Sequence, residues 1–427
     1  MPRASGRRNA NLGGVPLCNA TSMGGDPCGA RPLRLESSGA ESPSARSKKG
    51  ATVTTSRGLV LHAFNEPLTI EEAAVPEPEA GAIVAAVTYA GVCGTDVHLS
   101  HGNLPIPTPL ILGHEAVGQV WKLGPGVETD FLGTPLQVGD PIVWASNIPC
   151  GQCYWCVVEQ ERTLCADRKV YGVNQPFDAW PHLSGGWADY VYLQPGSAIF
   201  KLPDGIAPEA AIALGCAGPT AVHGVLDITR IDVGDTVVVQ GSGPVGMAAA
   251  IYAHLAGAAR VIVVGGPANR LALAKEIGVG DVHIDLFEVA DPAERIARVL
   301  AETPGGRGAD VVLECAGVPS AVPEGFEMAR RGAKYLVMGQ YTDRGPTMIN
   351  PHVITRKQLT IYGSWAFAEA HYAGYVQSLP HLAARFDLAR LISPYPLAEA
   401  NRALGDVETG SVMKAVLVPG TVTSGSS

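Results

Sequence analysis

Cys150, Cys153, Cys156 and Cys165 fall within sixteen consecutive residues, and no other feature of the 427-residue sequence limits its chemistry as tightly. Four thiolates at such spacings can close a tetrahedral all-sulfur shell around one ion, as structural zinc sites do. The same ligands also suit an iron–sulfur cluster. No redox-partner feature accompanies them, and a second cysteine–histidine set described below favours zinc. A shell closed by four thiolates leaves no position for a substrate, so this lobe is expected to stiffen a loop and not to catalyse.

The remaining composition narrows the class. With 46% hydrophobic and 17% charged residues the chain reads as globular, and its length allows two domains. A net charge of −9 argues against a nucleic-acid partner, which selects basic faces. The longest apolar stretch, residues 244–264, is broken by His254 and Arg260, so no membrane span is expected. No secretory signal is evident, which implies a cytoplasmic protein with reduced cysteines. Residues 1–50 differ from the rest: eight Lys/Arg against three Asp/Glu, no apolar period, and much Gly, Ser and Pro. They are expected to be a disordered tail or an upstream extension of the reading frame.

The periodicity changes once along the chain. Residues 83–89, 116–120 and 190–193 are short β runs separated by turns. From residue 236 strands alternate with helices: strands at 236–240, 261–264, 311–313, 335–337 and 359–361, helices at 247–255 and 268–277. That alternation predicts βαβ units and a doubly wound parallel sheet. A last strand at 415–418 is expected to return to the first, β-rich domain.

Two further constellations carry chemistry. Gly241-Ser242-Gly243-Pro244-Val245-Gly246 follows a predicted strand and opens a predicted helix, the setting in which glycines let a dinucleotide pyrophosphate approach a helix N-terminus. The other is dispersed: Cys93 within Gly91-Val92-Cys93-Gly94-Thr95-Asp96-Val97-His98, His114 within Gly113-His114-Glu115, and Cys216. Two thiolates and one imidazole give zinc three ligands and leave a fourth position for water or substrate.

From about residue 57 to residue 419 these motifs resemble the medium-chain dehydrogenase/reductase family, in its zinc-containing alcohol dehydrogenase branch. Two cysteines and a histidine are the documented catalytic set of alcohol dehydrogenase itself, so that correspondence is known chemistry and not a derivation. The resemblance implies a GroES-like catalytic domain (residues 51–217 and 363–427, with the structural zinc lobe at 150–165) and a Rossmann domain (218–362). It implies two zinc ions per chain, one held by Cys93, His114 and Cys216, the other by Cys150, Cys153, Cys156 and Cys165. Thr95 then matches the hydroxyl beside the substrate oxygen and His98 the far end of a proton relay. Asp96 matches the carboxylate behind the zinc histidine, and Glu115 the acid near the metal. Thr220 would pack on the nicotinamide, and Lys414 would contact the pyrophosphate together with Gly241, Gly243, Pro244, Val245 and Gly246. The zinc would lower the alcohol's pKa, the proton would leave through Thr95 to His98, and hydride would pass to the nicotinamide.

The sequence departs from that pattern at the second nucleotide strand. The acid that normally binds the adenosine ribose is replaced by Gly265, and Arg270 is the nearest cation that could meet a 2′-phosphate. The expected cofactor is therefore NAD(P), leaning to NAD. Leu104, Trp144 and Trp187 lie in stretches that line the substrate cleft in relatives, which suggests a non-polar alcohol. Residues 214–220 resemble the hydroxycamphor-type dehydrogenases, which oxidise cyclic secondary alcohols. The competing readings are a polyol or amino-alcohol dehydrogenase, a zinc-free quinone or enoyl reductase, and a non-catalytic relative. Relatives form homodimers or homotetramers, so a homo-oligomer acting on a small alcohol or carbonyl compound is expected.

Overall fold

The computed structural model of the chain describes residues 53–420, so the tail expected at residues 1–50 lies outside the described part. Two large sheets organise these residues. The first is antiparallel over most of its width and runs in the order Ile199–Lys201, Pro141–Trp144, Ala116–Leu123, Ile83–Val92, Lys414–Val418, Ile392–Pro396. Tyr190–Leu193 also pairs with Ile83–Val92, and a three-stranded sheet centred on Thr55–Leu61 lies outside this path. The expected return of the C-terminal strand is present: Ala415 to Leu417 pair antiparallel with Ala90 to Val92. The companion strand Ile392–Pro396, with prolines at two of its five positions, carries too weak an alternation to be read from sequence.

The second sheet is six-stranded and wholly parallel, in the order Val282–Asp285, Arg260–Gly265, Thr236–Gln240, Ala309–Glu314, Ala329–Val337, Thr360–Gly363. Its central strands are covered on both faces, which is why Val237, Val238 and Val239 are fully buried and read as one apolar run. The chain changes direction across the sheet between Thr236–Gln240 and Ala309–Glu314. Ligands of such sheets bind in the crevice outside the strand ends at that switch.

The two sheets meet through the segment that follows Cys216. A short helix, Ala217–Ala221, runs directly into a π-helix, Val222–Thr229, which Arg230 closes in the left-handed conformation. The long helix Glu369–Arg385 packs on both and leads the chain back toward the first sheet. No periodicity argument separates a π turn from an α turn, so this joint was not legible in the sequence. None of the described helices is long and apolar enough to cross a membrane.

Candidate active site

The strand Ile83–Val92 delivers Cys93 to the N-terminus of the helix Gly94–Ser100. The Asp96 carboxylate holds that corner from two sides. One oxygen accepts the Cys93 N–H at 2.8 Å, and the other accepts from Nδ1 of His114 at 3.1 Å. The His114 tautomer is thereby set with Nε2 unprotonated. That Nε2 is buried and has no hydrogen-bond partner. It faces the sulfurs of Cys93 and Cys216, with all three ligand atoms within 4.8 Å of one another. An orphaned imidazole nitrogen beside two thiols fits a metal ion in the site.

The electrostatics agree. Without a cation, two sulfurs this close do not both ionise. Hydrogen bonding from Cys216, helped by His114 and Lys414, pulls Cys93 well below its ordinary range, while Cys216 is pushed up by Cys93 and by burial. Burial opposes a charged His114, but Asp96 and Cys216 outweigh it and raise its pKa.

The Thr95 hydroxyl lies 3.9 Å from the Cys93 sulfur and borders a cleft of about 290 Å³ that also reaches Thr220 and Val245. His98 sits one turn beyond Thr95 on the same helix, its Nδ1 accepting from Asn103 at 3.1 Å; it does not border the cleft. Glu115 is buried behind the ligands, paired with the Lys414 ammonium.

The four-cysteine lobe is equally compact. Its sulfurs lie within 4.8 Å of one another, with Cys153 and Cys156 3.6 Å apart. A tetrahedral shell of Zn–S bonds of about 2.3 Å puts sulfurs about 3.8 Å apart, whereas a cluster core would hold them wider. Backbone N–H groups of Gln152 and Cys153 draw Cys150 down to about 7, and burial pushes Cys156 up to about 12. A third group, His223, Asp227 and His371, is arranged differently. The two rings stack at 4.2 Å and 20°, so their lone pairs do not converge. His371 Nδ1 accepts the Ala368 N–H, which leaves its Nε2 protonated.

At the nucleotide turn two glycines are required by close approach. A Cβ on Gly246 would stand 2.0 Å from the Gly241 carbonyl oxygen, and one on Gly265 would stand 2.7 Å from both the N and Oγ of Ser242. The absence of the ribose-binding acid thus has a steric reason: Ser242 occupies its space and donates to the Gly266 carbonyl at 2.9 Å. Gly241, Gly243, Gly265 and Arg270 border one groove, and the Arg270 guanidinium donates to the Val412 carbonyl at 3.1 Å.

Three sequence expectations are corrected. Lys414 does not reach the pyrophosphate groove: it is 2% exposed, and a buried ammonium is held where its counter-charge is, on Glu115. Trp144 and Trp187 do not line the cleft. Trp144 is buried beside the Ile199–Lys201 strand, and Trp187 packs under Gly113 with its indole N–H donating to the Gly91 carbonyl at 2.9 Å. Leu104 does border the cleft.

Among the residues that sequence reasoning missed there are Asn147, Arg168, Met338, Tyr341, Trp365 and Phe367. Asn147 donates to the Phe367 carbonyl at 3.1 Å and keeps its Oδ1 without a partner. Met338, Tyr341, Trp365 and Phe367 follow the carboxyl ends of two parallel strands, which is the signal that could have found them. Glu314 was missed as well. Fully buried at a strand end, it accepts N–H bonds from Ala316, Gly317 and Gly339, fixing the loops at the switch point.

Two thiols and an imidazole that could hold one metal ion, in a cleft that reaches Val245 of the glycine turn, fit a zinc-dependent oxidoreductase that uses a nicotinamide dinucleotide. Comparison with known proteins narrows this further. Residues 79–204 match the alcohol dehydrogenase GroES-like domain and residues 244–380 the zinc-binding dehydrogenase family. The chain is 36% identical to 5-exo-hydroxycamphor dehydrogenase of Pseudomonas putida over 348 residues, covering 81% of this chain and 94% of that one. A crystal structure of an alcohol dehydrogenase from Thermotoga maritima superposes with a TM-score of 0.81 at 36% identity, covering 86% of this chain and all of the other. A Sinorhizobium meliloti 1021 protein described as a zinc-binding dehydrogenase, solved with NADP, superposes at 0.74 with 27% identity over 86% of this chain and all of its own. The chain belongs to the zinc-containing alcohol dehydrogenase branch of the medium-chain dehydrogenase/reductase family. It is an NAD(P)-dependent alcohol oxidoreductase.

Proposed function

We propose that the enzyme oxidises a secondary alcohol with a largely apolar, perhydro-ring-sized body to the ketone, reversibly, at the cleft bounded by Cys93, His114, Cys216 and Thr95. The observation that carries this reading is the unpartnered Nε2 of His114, held by Asp96 toward two sulfurs in a cleft that also touches Thr220 and Val245. Zinc held by Cys93, His114 and Cys216 would supply Lewis acidity toward the alcohol oxygen, and the nicotinamide bound near Thr220 would accept hydride from the carbinol carbon. Asp96 fixes the His114 ring. Thr95 offers the hydroxyl through which the alcohol proton departs, and His98 takes it toward solvent. Cys150, Cys153, Cys156 and Cys165 would hold a second, structural zinc, giving two per chain. A panel of alcohols and ketones assayed with both nicotinamides, with metal content measured on the same sample, tests the reading. No turnover of any alcohol would overturn it.

The relay makes a pH prediction. His98 must be neutral to accept a proton. Burial, then the charge of Arg344, hold its pKa below 6.5 against the opposing pull of Cys93. Alcohol oxidation should therefore lose kcat/KM as pH falls through a value below 6.5. His98→Gln is expected to remove that acidic limb and slow oxidation about a hundredfold. A limb that persists in the variant would take His98 out of the relay.

Both nicotinamides are accepted in this reading, with NAD somewhat favoured. No acid stands at Gly265 to repel a 2′-phosphate, yet Arg270 is already engaged with Val412. Gly265→Asp, the usual route to NAD selectivity, is expected instead to raise KM for NAD and NADP together by about tenfold, because its Cβ collides with the Ser242 backbone. A clean switch to NAD would contradict this packing account.

The domain limits proposed from sequence, 51–217 with 363–427 and 218–362, place both zinc sites in the first domain. The Thr360–Gly363 strand ends the parallel sheet with Ile361 41% exposed, an edge suited to pairing with a second copy in a homodimer or homotetramer.

A further inference from the structure

Arg168 is the group in the cleft that alcohol oxidation leaves unused. No aspartate or glutamate borders this cavity. Two thiolates would offset the charge of a divalent ion held there, which leaves Arg168 as the charged side chain bordering the cavity. Among the described residues no carboxylate lies within ion-pairing distance of it, whereas Arg162, six positions earlier, is paired with Glu369. The position of Arg168 is nevertheless fixed. One amino group donates to the Thr163 carbonyl, and the guanidinium carbon stands 6.0 Å from the Trp365 ring centroid. Those contacts occupy a minority of its five donors.

The wall between Arg168 and the metal ligands is continuous. Trp365 stacks on Tyr341 at 4.7 Å and 15°. Tyr341 borders the same cavity as His114 and Arg168. Apolar side chains complete the enclosure, among them Leu104, Val173 and Phe367. In such surroundings an unpaired planar cation selects a carboxylate, which it can grip through two parallel N–H bonds.

We propose that the substrate is a secondary alcohol that also carries a carboxylate, held by Arg168 while its carbinol end lies at Cys93, His114 and Cys216. This assignment rests on the alcohol dehydrogenase reading and adds the charge of the substrate to it. A neutral analogue leaves the half-buried guanidinium of Arg168 without that partner, and a site with a polar group aimed at the substrate discriminates against an analogue that lacks the matching group.

The test uses the full-length zinc-loaded enzyme with NAD and NADP. It compares the cis and trans isomers of 3- and 4-hydroxycyclohexanecarboxylate with their methyl esters and with cyclohexanol. At least one acid is expected to exceed its ester by about tenfold or more in kcat/KM, mainly through KM. Arg168→Gln is expected to reduce the acid about ten times more than the ester, and Arg168→Lys to recover part of the difference. Raising salt from about 0.05 to about 0.5 M should shrink the wild-type preference, a readout that needs no variant to fold. Acids no better than their esters in every isomer, or an Arg168→Gln loss equal for acid and ester, would overturn the assignment while leaving the alcohol chemistry standing. Failure to oxidise cyclohexanol and all its derivatives would instead overturn the underlying reading.

Discussion

Cys93→Ala is expected to lower alcohol oxidation by about a thousandfold or more, since a metal Lewis acid contributes several kcal/mol and each factor of ten corresponds to about 1.4 kcal/mol. The variant should lose one zinc of the two proposed per chain and keep its secondary structure. Cys93 follows the strand Ile83–Val92 and borders the cleft, so trimming its side chain leaves the surrounding core in place. Cys150→Ala should differ in kind. It lies in the lobe whose sulfurs are mutually within 4.8 Å, so its zinc loss should appear as lower thermal stability. Elemental analysis beside a rate assay separates the two. Full activity in Cys93→Ala would remove the catalytic assignment, and activity loss in Cys150→Ala without destabilisation would remove the structural one.

Lys414→Met is expected to destabilise the protein by about 3–5 kcal/mol, because it strands the buried Glu115 carboxylate without its ammonium. Burial already raises the Glu115 pKa, and Lys414 is the main group holding it down. Without Lys414 the folded-state pKa climbs further above 4.5, so the native state holds its proton where the unfolded chain has released it. Stability of the variant should therefore fall as pH rises from 4.5 toward that higher value. Adding Glu115→Gln to Lys414→Met should recover much of the loss. Denaturant titrations at acid and neutral pH, read as a double-mutant cycle, measure the coupling. A midpoint that does not move in Lys414→Met would show that the pair contributes nothing.

Lys414 also marks the limit of what was legible in the sequence. Its position near the last strand was readable; its burial was not, because the Glu115 that neutralises it lies 299 residues away. The motif around Cys93 was readable for the opposite reason, since Cys93, Thr95, Asp96 and His98 fall within six consecutive residues whose spacing is itself the chemistry. The parallel sheet was legible from alternating strand and helix periods; its strand order was not, because pairing between strands leaves no mark on their own periodicity. Trp144 failed on a local point. It is the last residue of the strand Pro141–Trp144, so the face it takes is the core face of that sheet, and the chain turns only afterwards to present Ser146 and Asn147 to the cleft. Alternation predicts facing within a strand and says nothing once the strand has ended. Tyr341 and Trp365 come together from loops after two different strands, a meeting that only the folded sheet creates.

The carboxylate of Asp96, which receives the Cys93 N–H and the His114 ring N–H together, has a thermodynamic consequence. Cys93 and His114 arrive after separate strands, yet one buried side chain clamps both through hydrogen bonds that do not involve the metal. The ordering entropy of these ligands is then a cost of folding and not of metal uptake. Zinc should enter the catalytic site with little change in heat capacity or hydrodynamic radius, and leave to a chelator without unfolding the chain. Replacing Asp96 by alanine would move that ordering step into the binding isotherm, where it would appear as a more unfavourable entropy of association.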